Sequence, residues 1–98
     1  MAYLNKQERE ALLNELVNMS FNRAKGKLRR MDPKGRLAFH RNVQSPTSYH
    51  TRFDLEGLGT RVTLIEREVD EPTKKEGRVA AKFELAEVIV EPLPGNRT

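Results

Sequence analysis

Eight cations fall between Arg23 and Arg41: Arg23, Lys25, Lys27, Arg29, Arg30, Lys34, Arg36 and Arg41, opposed only by Asp32. Basic side chains at that density attract anions, whether nucleic acid, acidic protein surfaces or anionic lipid. At 100° per residue, Arg23, Lys27 and Arg30 lie along one flank of an apolar helical stripe, and Lys25 and Arg29 along the other. Lys34, Arg36 and Arg41 carry the charge into the following turn and strand, and Arg52 is placed beside them on the sheet. The residues expected to contact a polyanion are therefore Arg23, Lys27, Arg30, Lys34, Arg36, Arg41 and Arg52. Cations also gather at helix C-termini because they offset the macrodipole. Eight of them exceed what one helix end requires.

No other constellation competes. His40 and His50 are the two histidines; with Asp54 they form an incomplete ligand set for zinc or iron, so they read as strand histidines facing solvent. Ser20 lies on the apolar stripe, Ser45 and Ser48 flank Pro46 in a turn, and no glycine-flanked nucleophile elbow surrounds any of them. Glu66, Glu68, Asp70 and Glu71 bring four carboxylates close together, but Arg67 interrupts them, and they read as a strand leaving the core into a solvated loop. Gly57-Leu58-Gly59-Thr60 lacks the lysine and the following helix of a phosphate loop and reads as a turn between strands. No catalytic residue, metal site or cofactor is expected.

Composition narrows the field further. There is no cysteine, which excludes disulfides, thiolate metal sites and cysteine nucleophiles. Residues 1–50 carry ten Lys and Arg against four Asp and Glu, whereas residues 51–98 carry eight against ten. The basic character thus belongs to the first half. The N-terminal residues have no apolar run of a signal peptide, and no apolar stretch approaches the roughly 20 residues that cross a bilayer. The expectation is a cytoplasmic protein with no membrane role. Asn96-Arg97-Thr98 matches a glycosylation sequon but has no secretory context.

The elements that position the cations follow from periodicity. Asn5 is a good N-cap with Glu8 three residues on, a capping-box variant. Leu13, Leu16, Val17, Ser20, Phe21, Ala24, Leu28 and Met31 fall on one side, which predicts a single long amphipathic helix over Asn5 to Met31. Gly26, off the stripe, marks its weak point. Asp32-Pro33-Lys34-Gly35 stops it. Strand patterns follow at Leu37 to His40, Tyr49 to Leu55 and Arg61 to Val69, with the charged segment Asp70 to Gly77 as a loop. A long final strand covers Arg78 to Glu91. In it Val79, Ala81, Phe83 and Leu85 have one parity and Val88 and Val90 the other, so a bulge or bend is expected near Ala86-Glu87.

These signals predict one α+β domain over residues 1–91 with a flexible tail over 92–98. Its architecture is one long helix packed on a mostly antiparallel sheet of about four strands, either open or curled into an open barrel. The function expected is non-enzymatic binding of nucleic acid or another polyanion, such as an acidic protein, through the basic helix end and adjoining strand. Self-association as a homodimer is the alternative, since a thin core favours sharing between chains. Phe39 and Phe53 have core parity, which leaves few rings for base stacking.

Overall fold

The computed structural model describes residues 3–41, 48–68, 73–75, 78–80 and 83–95, with side chains described for 3–35, 48–68 and 83–95. Asn5 caps the first helix, α1 (Lys6–Leu16), through a reciprocal box. The Glu8 N–H donates to Asn5 Oδ1 at 2.8 Å, and the Asn5 N–H donates to Glu8 Oε1 at 3.0 Å. Two of the four donors that a helix start leaves without partners are satisfied in this way. The arm before it is tied down by Leu4, whose N–H donates to the Leu58 carbonyl and whose own carbonyl accepts from Nη1 of the buried Arg9.

The expected single helix is two. α1 ends at Leu16 and α2 (Phe21–Met31) begins after the N-cap Ser20. At the break the Asn18 N–H reaches back to the Glu15 carbonyl and the Met19 N–H to the Leu16 carbonyl, the tightened bonds of a helix end. The Asn18 side chain donates to the Asn14 carbonyl. Ser20 Oγ then accepts from the Arg23 N–H at 3.3 Å, and the Ser20 carbonyl from the Ala24 N–H. The interruption resets the phase of the apolar stripe. Leu12, Leu16, Ala24 and Leu28 are buried, while Val17 is 51% exposed and Ser20 lies in solvent. Gly26, expected as the weak point, lies inside an unbroken α2.

The strands are β1 (Arg36–Arg41), β2 (Ser48–Leu55), β3 (Thr60–Glu68), β4 (Thr73–Lys75), β5 (Arg78–Ala80) and β6 (Phe83–Pro92). Four form an antiparallel sheet in the order β1-β2-β3-β6, and β4 pairs with β5 in a separate small hairpin. Among the described residues β1 and β6 are the edges of the four-stranded sheet, which is not closed. β4 occupies part of what reads as loop in the sequence, and the expected long final strand is two pieces. β6 reaches Pro92, and the Leu93 N–H donates to the Gly59 carbonyl. The Ser45–Pro46 turn, Asp70, Glu71, Ala81 and the terminal sequon lie outside the described residues.

The parity change in β6 is resolved where expected. Ile65 faces Glu87 and Glu66 faces Leu85, which leaves Ala86 as an extra residue in the ladder. That bulge returns Leu85, Val88 and Val90 to one face, opposite Glu66, Leu64 and Val62. With Phe53 and Leu55 of β2, these residues form the floor on which α1 and α2 pack, α1 over β6 and α2 over β2. The turn leaving α2 is pinned to the β2–β3 connection, because Asp32 accepts from the Lys34 N–H at 3.2 Å and from the Gly57 N–H at 3.1 Å. Gly35 permits that approach: a Cβ there would stand 3.1 Å from the carbonyl oxygens of Asp32 and Asp54.

Candidate functional site

α2 buries Ala24 and Leu28 completely, so the residues about half a turn away on its circumference face solvent. Those are Asn22, Arg23, Gly26, Arg29 and Arg30. Gly26 sits at the centre of this outer face. Glycine inside a helix costs about 1 kcal/mol against alanine, and here its missing side chain leaves a shallow cleft of about 390 Å³ bordered by Met19, Asn22, Arg23 and Arg30. A Cβ on Gly26 would stand 3.3 Å from Arg30 Nη1. The Arg30 guanidinium is thus folded back by one turn over the glycine, toward Arg23, in the direction that helical side chains lean.

The charges here are uncompensated. Among the described residues, Arg23, Arg29 and Arg30 have no carboxylate partner, and all three are exposed. Lys27 differs: its Nζ lies 2.8 Å from Glu15 Oε2 of α1, so its charge is offset within the chain. The split between α1 and α2 also changes what the cations mean. In one long helix Arg23 would be an interior residue on the way to a basic end. In α2 it stands in the first turn, which contains no acidic residue. There the macrodipole disfavours a cation. The dipole accounts for Arg29 and Arg30 in the last turn and leaves Arg23 without that explanation.

The remaining predicted cations are dispersed. Lys34 is exposed in the turn after α2. Arg36 and Arg41 begin and end β1, in register with Asp54 and Tyr49; their side chains lie outside the described residues. Arg52 does not join the helix surface. Its neighbours Thr51 and Phe53 are buried beneath the helices, so alternation turns Arg52 to the other face of the sheet. There its Nε lies 3.8 Å from Asp54 Oδ1, and Arg61 Nε donates to the same oxygen at 2.8 Å. That hydrogen bond raises the Arg61 pKa above its already high ordinary value. The expected track from helix edge to strand face is accordingly two separate surfaces. Reading the sequence missed Asn22 and the part played by Gly26, although a glycine three residues after one arginine and four before another is visible there.

Among the described residues, the side chains weighed for other chemistries are engaged in the fold. His40 and His50 face each other across β1 and β2, and no group of three His, Asp or Glu among the described residues converges on a metal-sized site. Asp54, the third ligand considered, is occupied by Arg61. Ser20 serves as a cap, and Ser48 is buried and bonded. Residues Glu56–Leu58 form a single 3-10 turn, and Gly59 follows at φ 59°, a left-handed conformation that suits glycine. Thr60 Oγ1 donates to the Leu58 carbonyl. The Gly57–Thr60 stretch is therefore a connection between strands. Glu66 corrects the expectation that β3 has left the core by that point: it lies on the helix-facing side opposite Tyr49 and Leu85, and burial raises its pKa above the usual carboxylate value.

Two further clefts flank the exit of α2. One, of about 410 Å³, lies between Leu28, Arg29, Pro33, Phe53 and Leu55, and the other, of about 460 Å³, between Met31, Pro33, Lys34, Glu56 and Leu58. Asp32 borders both, with its carboxylate already held by two backbone donors. No described helix is long and apolar enough to cross a membrane. No known protein family matches the chain, and no curated protein or solved structure is detectably similar to it.

Proposed function

We propose that this chain is a non-enzymatic binding protein that holds the phosphate backbone of nucleic acid on the outer face of α2. The observation that carries this reading is the unpaired Arg23 in the first turn of α2, on the same cleft as the unpaired Arg30. Keeping two guanidinium groups on one cleft with no carboxylate in its lining costs mutual repulsion, and an anionic partner relieves it. Arginine suits phosphate because its planar fork donates two parallel hydrogen bonds.

The binding is to backbone and not to base sequence. The Tyr49 and Phe83 rings pack edge to face with centroids 4.9 Å apart, half-buried at the sheet end. Among the residues whose side chains are described, Tyr3 is the one well-exposed ring, and no row of rings is offered for stacking. Affinity is then mostly counterion release, about 0.7 in the log–log salt slope per phosphate neutralised on a single strand.

The test is fluorescence anisotropy with a mixed-sequence oligonucleotide of roughly 20 nucleotides, titrated at several NaCl concentrations. Wild type binds with steep salt dependence, and the Arg23→Gln/Arg30→Gln variant binds more weakly with a shallower slope, by about 0.7 for each phosphate contact that is lost. Wild type that shows no salt-sensitive binding at low ionic strength, or a double variant that binds as wild type does, overturns the proposal.

A further inference from the structure

We infer that the cleft over Gly26 is the seat of one phosphodiester group, gripped between the guanidinium groups of Arg23 and Arg30. This rests on the proposed function and adds to it a defined contact point and a role for the glycine.

Arg23 and Arg30 are seven residues apart, about 10 Å along the helix axis at 1.5 Å per residue. Straight out from the helix, two side chains that far apart would serve separate anions. Arg30 is not straight: its Nη1 lies 3.3 Å from the point where a Cβ on Gly26 would be, one turn closer to Arg23. Both arginines border the same cleft of about 390 Å³, with Asn22 beside them. Its lining offers two guanidinium forks and a side-chain amide as donors, and no carboxylate to repel an anion. Gly26 adds no side chain to the floor, over which Arg30 Nη1 already lies, so a tetrahedral phosphate can settle against that guanidinium and beside Arg23 and receive hydrogen bonds from both. A nucleic-acid phosphate diester carries one negative charge.

The discriminating variant is Gly26→Leu. It changes no charge and fills the cleft, and leucine is a far better helix former than glycine, so the fold is retained or made more stable. Diffuse attraction to a basic helix is indifferent to this change. A seated phosphate is not: the oligonucleotide affinity of Gly26→Leu falls about tenfold or more at low salt, and its salt slope becomes shallower by about 0.7, the one phosphate that the seat neutralises, as it does in Arg23→Gln/Arg30→Gln. Combining Gly26→Leu with the two glutamines causes little further loss, because all three changes empty one seat. If wild type binds and the glutamine variant is impaired while Gly26→Leu matches wild type in affinity and slope, the seat is refuted and the broader function stands. If wild type does not bind, both fall. A second measurement needs no variant. The side-chain Nε–Hε NMR resonances of Arg23 and Arg30 shift together as the oligonucleotide is added to the wild-type chain, and shifts confined to other arginines overturn the seat. Inorganic phosphate, which presents the same tetrahedral oxyanion, competes with the oligonucleotide better than chloride does at matched ionic strength; competition no better than chloride overturns the seat.

Discussion

Ser20→Ala separates two descriptions of the N-terminal segment by the sign of its effect. As the N-cap of α2, Ser20 accepts the Arg23 N–H at 3.3 Å from an exposed position. Removing a serine cap costs about 1 kcal/mol within a range of 0.5–2, and so long a bond belongs in the lower half, about 0.5–1 kcal/mol. For a domain of this size that lowers the melting temperature by about 2–8 °C. In a helix running without interruption from Asn5 to Met31, the same substitution would replace a mediocre helix former by the best one and raise stability by about 0.5 kcal/mol. Ser20→Asp adds a second arm. It keeps an acceptor for the Arg23 N–H and places a negative charge at the positive end of α2, worth about 0.3–1 kcal/mol at low ionic strength, so it melts at or above wild type. Thermal and urea unfolding followed by far-UV circular dichroism reads both variants, with an unchanged urea m-value marking the same extent of unfolding. A Ser20→Ala protein that melts at or above wild type refutes the two-helix account and the first-turn position of Arg23 with it.

Two further outcomes concern the sheet. Asp54→Asn removes the carboxylate that Arg61 Nε contacts at 2.8 Å and that Arg52 approaches, leaving Arg61 with only the weaker attraction of Glu91; the urea midpoint falls by an amount equivalent to about 1–2 kcal/mol, and an unchanged midpoint would show that solvent already screens the pair. Glu66 has its pKa raised from the ordinary 4.5 by burial, so the folded chain holds this proton to a higher pH than the unfolded chain does. Its contribution to stability accordingly declines as pH rises from about 4.5 through the folded value and stays reduced at neutral pH. Glu66→Gln is therefore more stable than wild type at pH 7, with the difference shrinking toward acid, where both side chains are neutral. A stability gap that is the same in acid as at pH 7 rules out the desolvation argument.

The parts of this protein that can be read along the chain are those decided by residues close together in it. The Asn5–Glu8 box, the Asp32–Gly35 stop and the extra residue at Ala86 each depend on a few adjacent side chains or on a change of parity between Leu85 and Val88, and the structure has them as expected. The basic character of α2 is likewise a matter of sequence. Tertiary structure decided what local energies leave nearly balanced. The apolar spacing of residues 13–31 allows one continuous helix. Packing α1 on β6 and α2 on β2 instead requires a change of direction, which Asn18 and Ser20 make inexpensive by supplying local hydrogen bonds. That break exposes Val17, buries Leu12 and moves Arg23 into a first turn. Alternation along β2 separates Arg52 from the helix surface, and pairing with Tyr49 and Leu85 draws Glu66 partly out of water. Composition determines that the first half of the chain carries excess positive charge. Which of those charges remain unpaired together around Gly26 was set only when Glu15 of a separate helix came within reach of Lys27, because ion pairing depends on distances that the fold creates.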